Sequence, residues 1–185
     1  MSHWHLKQAT RVLNGDGVIA YPTEAVYGLG CRPDDLQAVK RILQLKKRNM
    51  HKGLILVAAD AKQIEPYIEY PTAAIREKVM KSWPGPTTWV LPATDAVPFW
   101  ISGCHKSVAV RVSSHPLVHD LCRMAGVLVS TSANPGHGVP AKSAMRVMAY
   151  FGNLVDYILP GRVGSLPRPT EIRDATKNYV LRAGS

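Results

Sequence analysis

The chain has 185 residues, 46% of them apolar and 19% charged, and 23 Lys and Arg against 13 Asp and Glu give it a net charge of +10. This length can bury a sizeable core in one domain, and the three cysteines, Cys31, Cys104 and Cys122, are too widely spaced for a disulfide framework or a close-paired zinc site. No run approaches the roughly 18 apolar residues of a membrane span and the start carries no secretory signal, so the expectation is a cytoplasmic protein whose charge favours polyanions such as nucleotide phosphates or nucleic acid.

Taken in chain order, Gly17 to Tyr21 reads as a strand that stops at Pro22, which cannot continue a central ladder. Thr23 and Glu24 are then displayed at the strand mouth, with Gly28 and Gly30 allowing close backbone approach. The same segment could be a plain strand-to-helix turn capped by Thr23. Leu36, Val39, Ile42 and Leu43 recur at helical spacing behind an Asp34 or Asp35 cap. This helix runs into Leu45 to Lys52, a basic cluster before the strand Leu54 to Ala58. Between Leu36 and Ala59 there is no acidic residue. Cations at a helix C-terminus can be simple dipole partners. Lys46 and Arg48, two apart in a turn, could instead converge on one anion, with a point charge and a bidentate fork suited to a triphosphate.

A further helix is expected over Ala73 to Ser82, followed by the rigid Trp83 to Thr88 turn presenting Thr87 and Thr88 and by the strand Thr88 to Leu91. Val108 to Val112 is an apolar strand interrupted by Arg111, a charge that needs either a buried carboxylate or a ligand. A helix follows over Leu117 to Met124, started by Pro116 and ended by Gly126. The strand Val127 to Ser130 leads into Ser130, Thr131, Ser132 and Asn134. Their hydroxyls and amide could donate to phosphate or ribose, or could form an ordinary polar turn. A helix over Ser143 to Phe151 and strands at Tyr157 to Leu159 and Tyr179 to Arg182 complete the pattern. The expected fold class is α/β, a twisted open mixed sheet with flanking helices. No repeat or linker divides residues 1–185, so a single domain is expected. No Walker-type loop, dinucleotide fingerprint, hydrolase elbow or metal-ligand spacing is present, and His115 and His119 read as structural or surface residues.

In this order the segments resemble the YrdC family in its short bacterial form. The resemblance is carried by PTEAVYGLG (Pro22 to Gly30), the pair Lys46 and Arg48 followed by KGLILVA, PGPTT (Pro84 to Thr88), AVRV with HPLV (Ala109 to Val118), Ser132-Ala133-Asn134, and Pro169-Thr-Glu-Ile-Arg-Asp174. It implies a large basic concave cavity and a nucleotidyltransferase reaction. L-threonine and bicarbonate form a carbamate that attacks the α-phosphorus of ATP, releasing pyrophosphate. The resulting adenylate passes to partner proteins that modify the adenosine beside the tRNA anticodon.

By the same resemblance, Lys46 and Arg48 would be catalytic and hold the phosphates. Ser130, Ser132, Asn134 and Thr170 would complete the nucleotide site, and Thr23, Thr87 and Arg111 would bind threonine. Such chemistry rests on positioning and charge, needing no enzyme nucleophile. Mg2+ would arrive with ATP, without a dedicated metal site. Asn49 stands where the family has Pro, which predicts a looser basic turn, and Thr170 stands where Ser is usual. The charge leaves a second reading open, an RNA-binding or ribosome-maturation module without catalysis, and direct binding of tRNA or structured RNA is compatible with either. The chain lacks the aromatic stacking platform of common single-strand binders. Carbamoyl transfer in hydrogenase maturation is a third reading, weakened by the absence of zinc-finger cysteines.

Overall fold

The computed structural model describes residues 3–136, 138–177 and 179–184. The nine strands it describes, β1 (Ile19–Pro22), β2 (Tyr27–Gly30), β3 (Ile55–Ala58), β4 (Thr87–Pro92), β5 (Ser107–Val112), β6 (Leu128–Ser132), β7 (Tyr157–Ile158), β8 (Glu171–Asp174) and β9 (Val180–Arg182), form one sheet in the order β7-β1-β2-β6-β3-β5-β4-β8-β9. Parallel pairs β3/β5, β4/β8 and β1/β7 mix with antiparallel neighbours, as the sequence pattern led us to expect. The helices are α1 (His3–Asn14), α2 (Leu36–Leu45), α3 (Ala61–Ile64), α4 (Ala73–Lys81), α5 (Phe99–Ser102), α6 (Pro116–Ala125) and α7 (Ala144–Phe151).

Side chains alternate across a strand, and here the two faces are covered unequally. One face carries Ala20, Tyr27, Leu29, Leu56, Ala58, Val110 and Val129, packed with Val39 and Ile42 of α2, Val79 of α4 and Val147 of α7. The other carries Ile19, Tyr21, Val57 and Leu128, covered by Leu6, Ala9 and Leu13 of α1 and by Val118, Leu121 and Cys122 of α6. Two helices cannot cover a nine-stranded face, so Ile55, Ala109, Arg111, Ser130 and Ser132 are left lining an open cavity on that side.

Five elements lie outside the sequence reading, β2, β8, α1, α3 and α5, and the turn after β1 differs in kind. Strand β1 ends at Pro22, as expected, and this last residue still pairs with Tyr27 across a β1–β2 hairpin. Its missing N–H meets no partner on the other edge, because β7 pairs only with Ile19 and Ala20. Thr23 and Glu24 therefore sit in a hairpin turn, not a strand-to-helix turn. Helix α1 buries Leu6, Ala9, Thr10 and Leu13 and is not among the expected helices. Strand β8 reads as a charged loop, EIRD, but its backbone pairs with both β4 and β9.

Candidate functional site

The cavity holds about 740 Å³ and is lined by residues from β1–β2 through β9. Lys46, Lys47, Arg48, Lys52, Arg111, Lys177 and Arg182 line it, against one carboxylate, Asp174. Such an excess of fixed positive charge in a concave site focuses an attractive field on anions.

One end is built by the exit of α2. Arg48 N–H donates to Leu43 O at 2.9 Å and Lys47 N–H to Gln44 O at 3.0 Å, a Schellman termination. Lys47, at φ 49°, occupies the left-handed position that usually falls to glycine. That reversal directs Lys46 and Arg48 to the cavity. The Lys46 ammonium is buried and reaches β6 and the turn after it: it donates to Ser132 O, to Asn134 O at 3.2 Å and to Asn134 Oδ1 at 3.2 Å. Ser132 Oγ in turn donates to Asn134 Oδ1 at 2.6 Å. Burial, helped by the neighbouring Arg48 charge, pulls the Lys46 pKa down to about 8, because every acceptor it has is neutral. Arg48 donates from Nη2 to Gly53 O at 2.9 Å, while its buried Nε has no hydrogen-bond partner.

Asn49 caps the turn that follows: its Oδ1 accepts from His51 N–H at 2.8 Å at the start of a 3-10 turn over Met50–Lys52. Gly136 brings the two segments together: a Cβ there would lie 2.9 Å from Lys46 O.

The other end is built on β5. Arg111 and Glu24 form an ion pair at 3.4 Å with side chains 7% exposed each. The charge in an apolar strand thus has both of the partners that its burial demands, a carboxylate and the cavity. Arg111 Nη1 donates to Thr170 Oγ1 at 2.7 Å, so the threonine hydroxyl is used as an acceptor. Glu24 Oε1 accepts from Ser113 Oγ at 2.7 Å and Ser114 N–H at 3.2 Å. Burial works to raise the Glu24 pKa, but the Arg111 charge and the Ser113 hydroxyl outweigh it and hold the carboxyl below its usual range. Thr23 donates its hydroxyl to Val26 O at 2.8 Å, leaving its oxygen only as an acceptor.

Of the expected residues, Lys46, Arg48, Thr23, Arg111, Ser130, Ser132, Asn134 and Thr170 all line the one cavity. Thr87 does not. The pleat puts it on the face of Trp89 and Leu91, where its carbonyl accepts from Trp83 Nε1 at 2.9 Å. Thr88, fully buried, alternates onto the side of Val90 and Arg111. His115 and His119 share no site: His115 is buried against Arg162 O at 3.1 Å, and His119 is half-buried beside Asp120. The sequence reading gave no role to Glu24 or to Arg182, whose Nη2 donates to Thr170 O at 2.7 Å. A lone Arg in an apolar strand signals the need for Glu24 but not its address. Among the described residues no cluster of three His, Cys, Asp or Glu could hold a metal, and no helix is long and apolar enough to cross a membrane.

Residues 11–184 match the family model Sua5/YciO/YrdC, described as telomere recombination. The threonylcarbamoyl-AMP synthase of Nitrosococcus oceani is 49% identical over 181 residues, covering 97% of this chain and 98% of that one. The crystal structure of P. abyssi Sua5 complexed with L-threonine has a TM-score of 0.93 at 30% identity, covering 100% of this chain and 55% of that longer one. The structure of E. coli YciO has a TM-score of 0.86 at 28% identity, covering 99% and 90%.

Proposed function

Because the chain belongs to the Sua5/YciO/YrdC family, we propose that it is an L-threonylcarbamoyladenylate synthase, acting as one cytoplasmic domain on L-threonine, bicarbonate and ATP. The observation that carries this reading is the division of a single cavity. Lys46, Arg48, Ser132 and Asn134 form a phosphate-type end, and Arg111, Thr170 and Thr23 form a smaller polar end beside it. A relative 49% identical bears the name of this activity, and a similar structure holds threonine.

In this reading the Arg111 guanidinium takes the substrate carboxylate, and the Thr23 oxygen accepts from its nitrogen. Bicarbonate loses hydroxide to give CO2, and the neutral amine nitrogen forms a C–N bond to it. The proton that the nitrogen gives up leaves with that hydroxide as water, and the carbamate oxygen then attacks the α-phosphorus. A P–O bond forms, the bond to the β,γ-phosphates breaks, and pyrophosphate leaves with its charge held by Lys46 and Arg48. These cations stabilise the charge that accumulates on the leaving group, and the rest is orientation. The residues present suit phosphate oxygens, so Mg2+ enters as part of the ATP substrate. The product is a mixed anhydride, to be consumed by a transferase that modifies tRNA adenosine, and the +10 charge favours direct contact with that RNA.

The test is pyrophosphate release from ATP with magnesium, threonine and bicarbonate. Release that requires both threonine and bicarbonate supports the reading. Release indifferent to either one overturns it, and steeply salt-dependent RNA binding without turnover would favour the RNA-binding module.

A further inference from the structure

The two ends of the cavity differ in how their cations are balanced. Lys46 and Arg48 hydrogen-bond only to neutral oxygens. Arg111 instead has the Glu24 carboxylate at 3.4 Å, both side chains being almost completely buried. Glu24 is itself tightly held. Ser113 Oγ and Ser114 N–H fix Oε1, and the chain at 164–166 closes over its backbone, with Gly164 N–H on Thr23 O at 2.9 Å and Leu166 N–H on Glu24 O at 3.1 Å. A Cβ at position 164 would come within 2.6 Å of Glu24 O. On the other side Thr170 takes Nη1, so the guanidinium is clamped from two directions. Its Nε and the Glu24 Oε2 are buried without a hydrogen-bond partner, so the pair itself is held by charge, not by a close hydrogen bond.

We propose that Glu24 is a positioning and selectivity residue: it orients Arg111 and cancels its charge, so that this end of the cavity accepts an amino-acid carboxylate and rejects phosphate. The inference rests on the proposed function and deepens it. A triphosphate is drawn to uncompensated cations, as at Lys46 and Arg48. A zwitterion, with no net charge, gains little from a strong field and depends on a directed donor. Arg182 stands beside Thr170, its Nη2 donating to Thr170 O at 2.7 Å, so the balance of charge at this end depends on Glu24 offsetting Arg111. Without Glu24, Arg111 becomes a free cation, and phosphate competes for it.

The experiment is titration calorimetry of L-threonine against the full chain, with and without inorganic phosphate, for the wild type, Glu24→Gln, Glu24→Asp and Ser113→Ala. The expected result for Glu24→Gln is a threonine affinity about tenfold weaker, with nucleotide affinity within about twofold, and competition by inorganic phosphate that the wild type does not show. Glu24→Asp restores most of the affinity, which a merely structural role would not require, and Ser113→Ala gives a smaller loss of the same kind. Wild-type threonine affinity in a folded Glu24→Gln variant, without phosphate competition, overturns the inference and leaves the functional reading standing. If Glu24→Gln does not fold, unchanged affinity and no competition in Ser113→Ala overturn it equally. A wild type that binds no threonine overturns both.

Discussion

The Lys46 ammonium and the Asn134 amide oxygen, 88 residues apart in the chain, lie 3.2 Å from each other at one end of the cavity. The contact joins the exit of α2 to the end of β6. Neither segment alone makes an anion site; together they place a buried cation beside a hydroxyl and an amide.

Lys46→Ala and Arg48→Ala are expected to lower pyrophosphate release by at least about a hundredfold, the scale of a lost charge-stabilising group. Circular dichroism should remain that of the wild type, because both side chains sit at the cavity wall and not in the apolar core. Equal losses of structure and activity would assign them a scaffold role.

The pKa of Lys46, pulled by burial to about 8 from its ordinary 10.5, makes nucleotide binding proton-linked. Phosphates favour the charged amine, so at pH 8 binding should take up about half a proton. Calorimetry in two buffers of different ionisation enthalpy measures it, and Lys46→Met should abolish it. Between about 8 and 10.5 the unfolded chain binds more protons at this residue than the folded one, so its contribution to stability rises with pH there. Affinity for ATP should fall over the same interval.

Gly136 is needed for a close approach, because a Cβ would stand 2.9 Å from Lys46 O and 3.3 Å from the Lys47 Cβ. Gly136→Val should therefore raise the KM for ATP several-fold while moving the KM for threonine little. Steady-state kinetics with each substrate varied in turn distinguish this from general damage.

Two threonines separate the faces of the sheet. Thr170→Val removes the hydroxyl that accepts from Arg111 at 2.7 Å and should raise the KM for threonine about tenfold, the effect of an unsatisfied buried donor. Thr87→Val, on the opposite face, should leave both KM values within about twofold.

Much of the fold was legible because period-2 apolar runs and period-3.6 stripes mark half-buried strands and helices directly. The strands β3, β5 and β6 and the helices α2 and α6 fall where those periods put them. Strand β8 escaped because EIRD owes its conformation to backbone pairing with β4 and β9, which its side chains do not advertise. Thr87 lies outside the cavity lining for a related reason: a turn sequence does not state onto which face the pleat will turn a residue.

Read from the sequence, Lys46 with Arg48 and Ser132 with Asn134 are candidate anion-binding groups whose order, with the other motifs, carries the family resemblance, and the family model matches residues 11–184. What the tertiary structure alone decided is which groups face one another across the sheet. The Glu24–Arg111 pair, the Lys46–Asn134 contact and the open part of the face beyond α1 and α6 are long-range facts. They follow from strand order and from how far two helices can reach, and local periodicity holds no record of either.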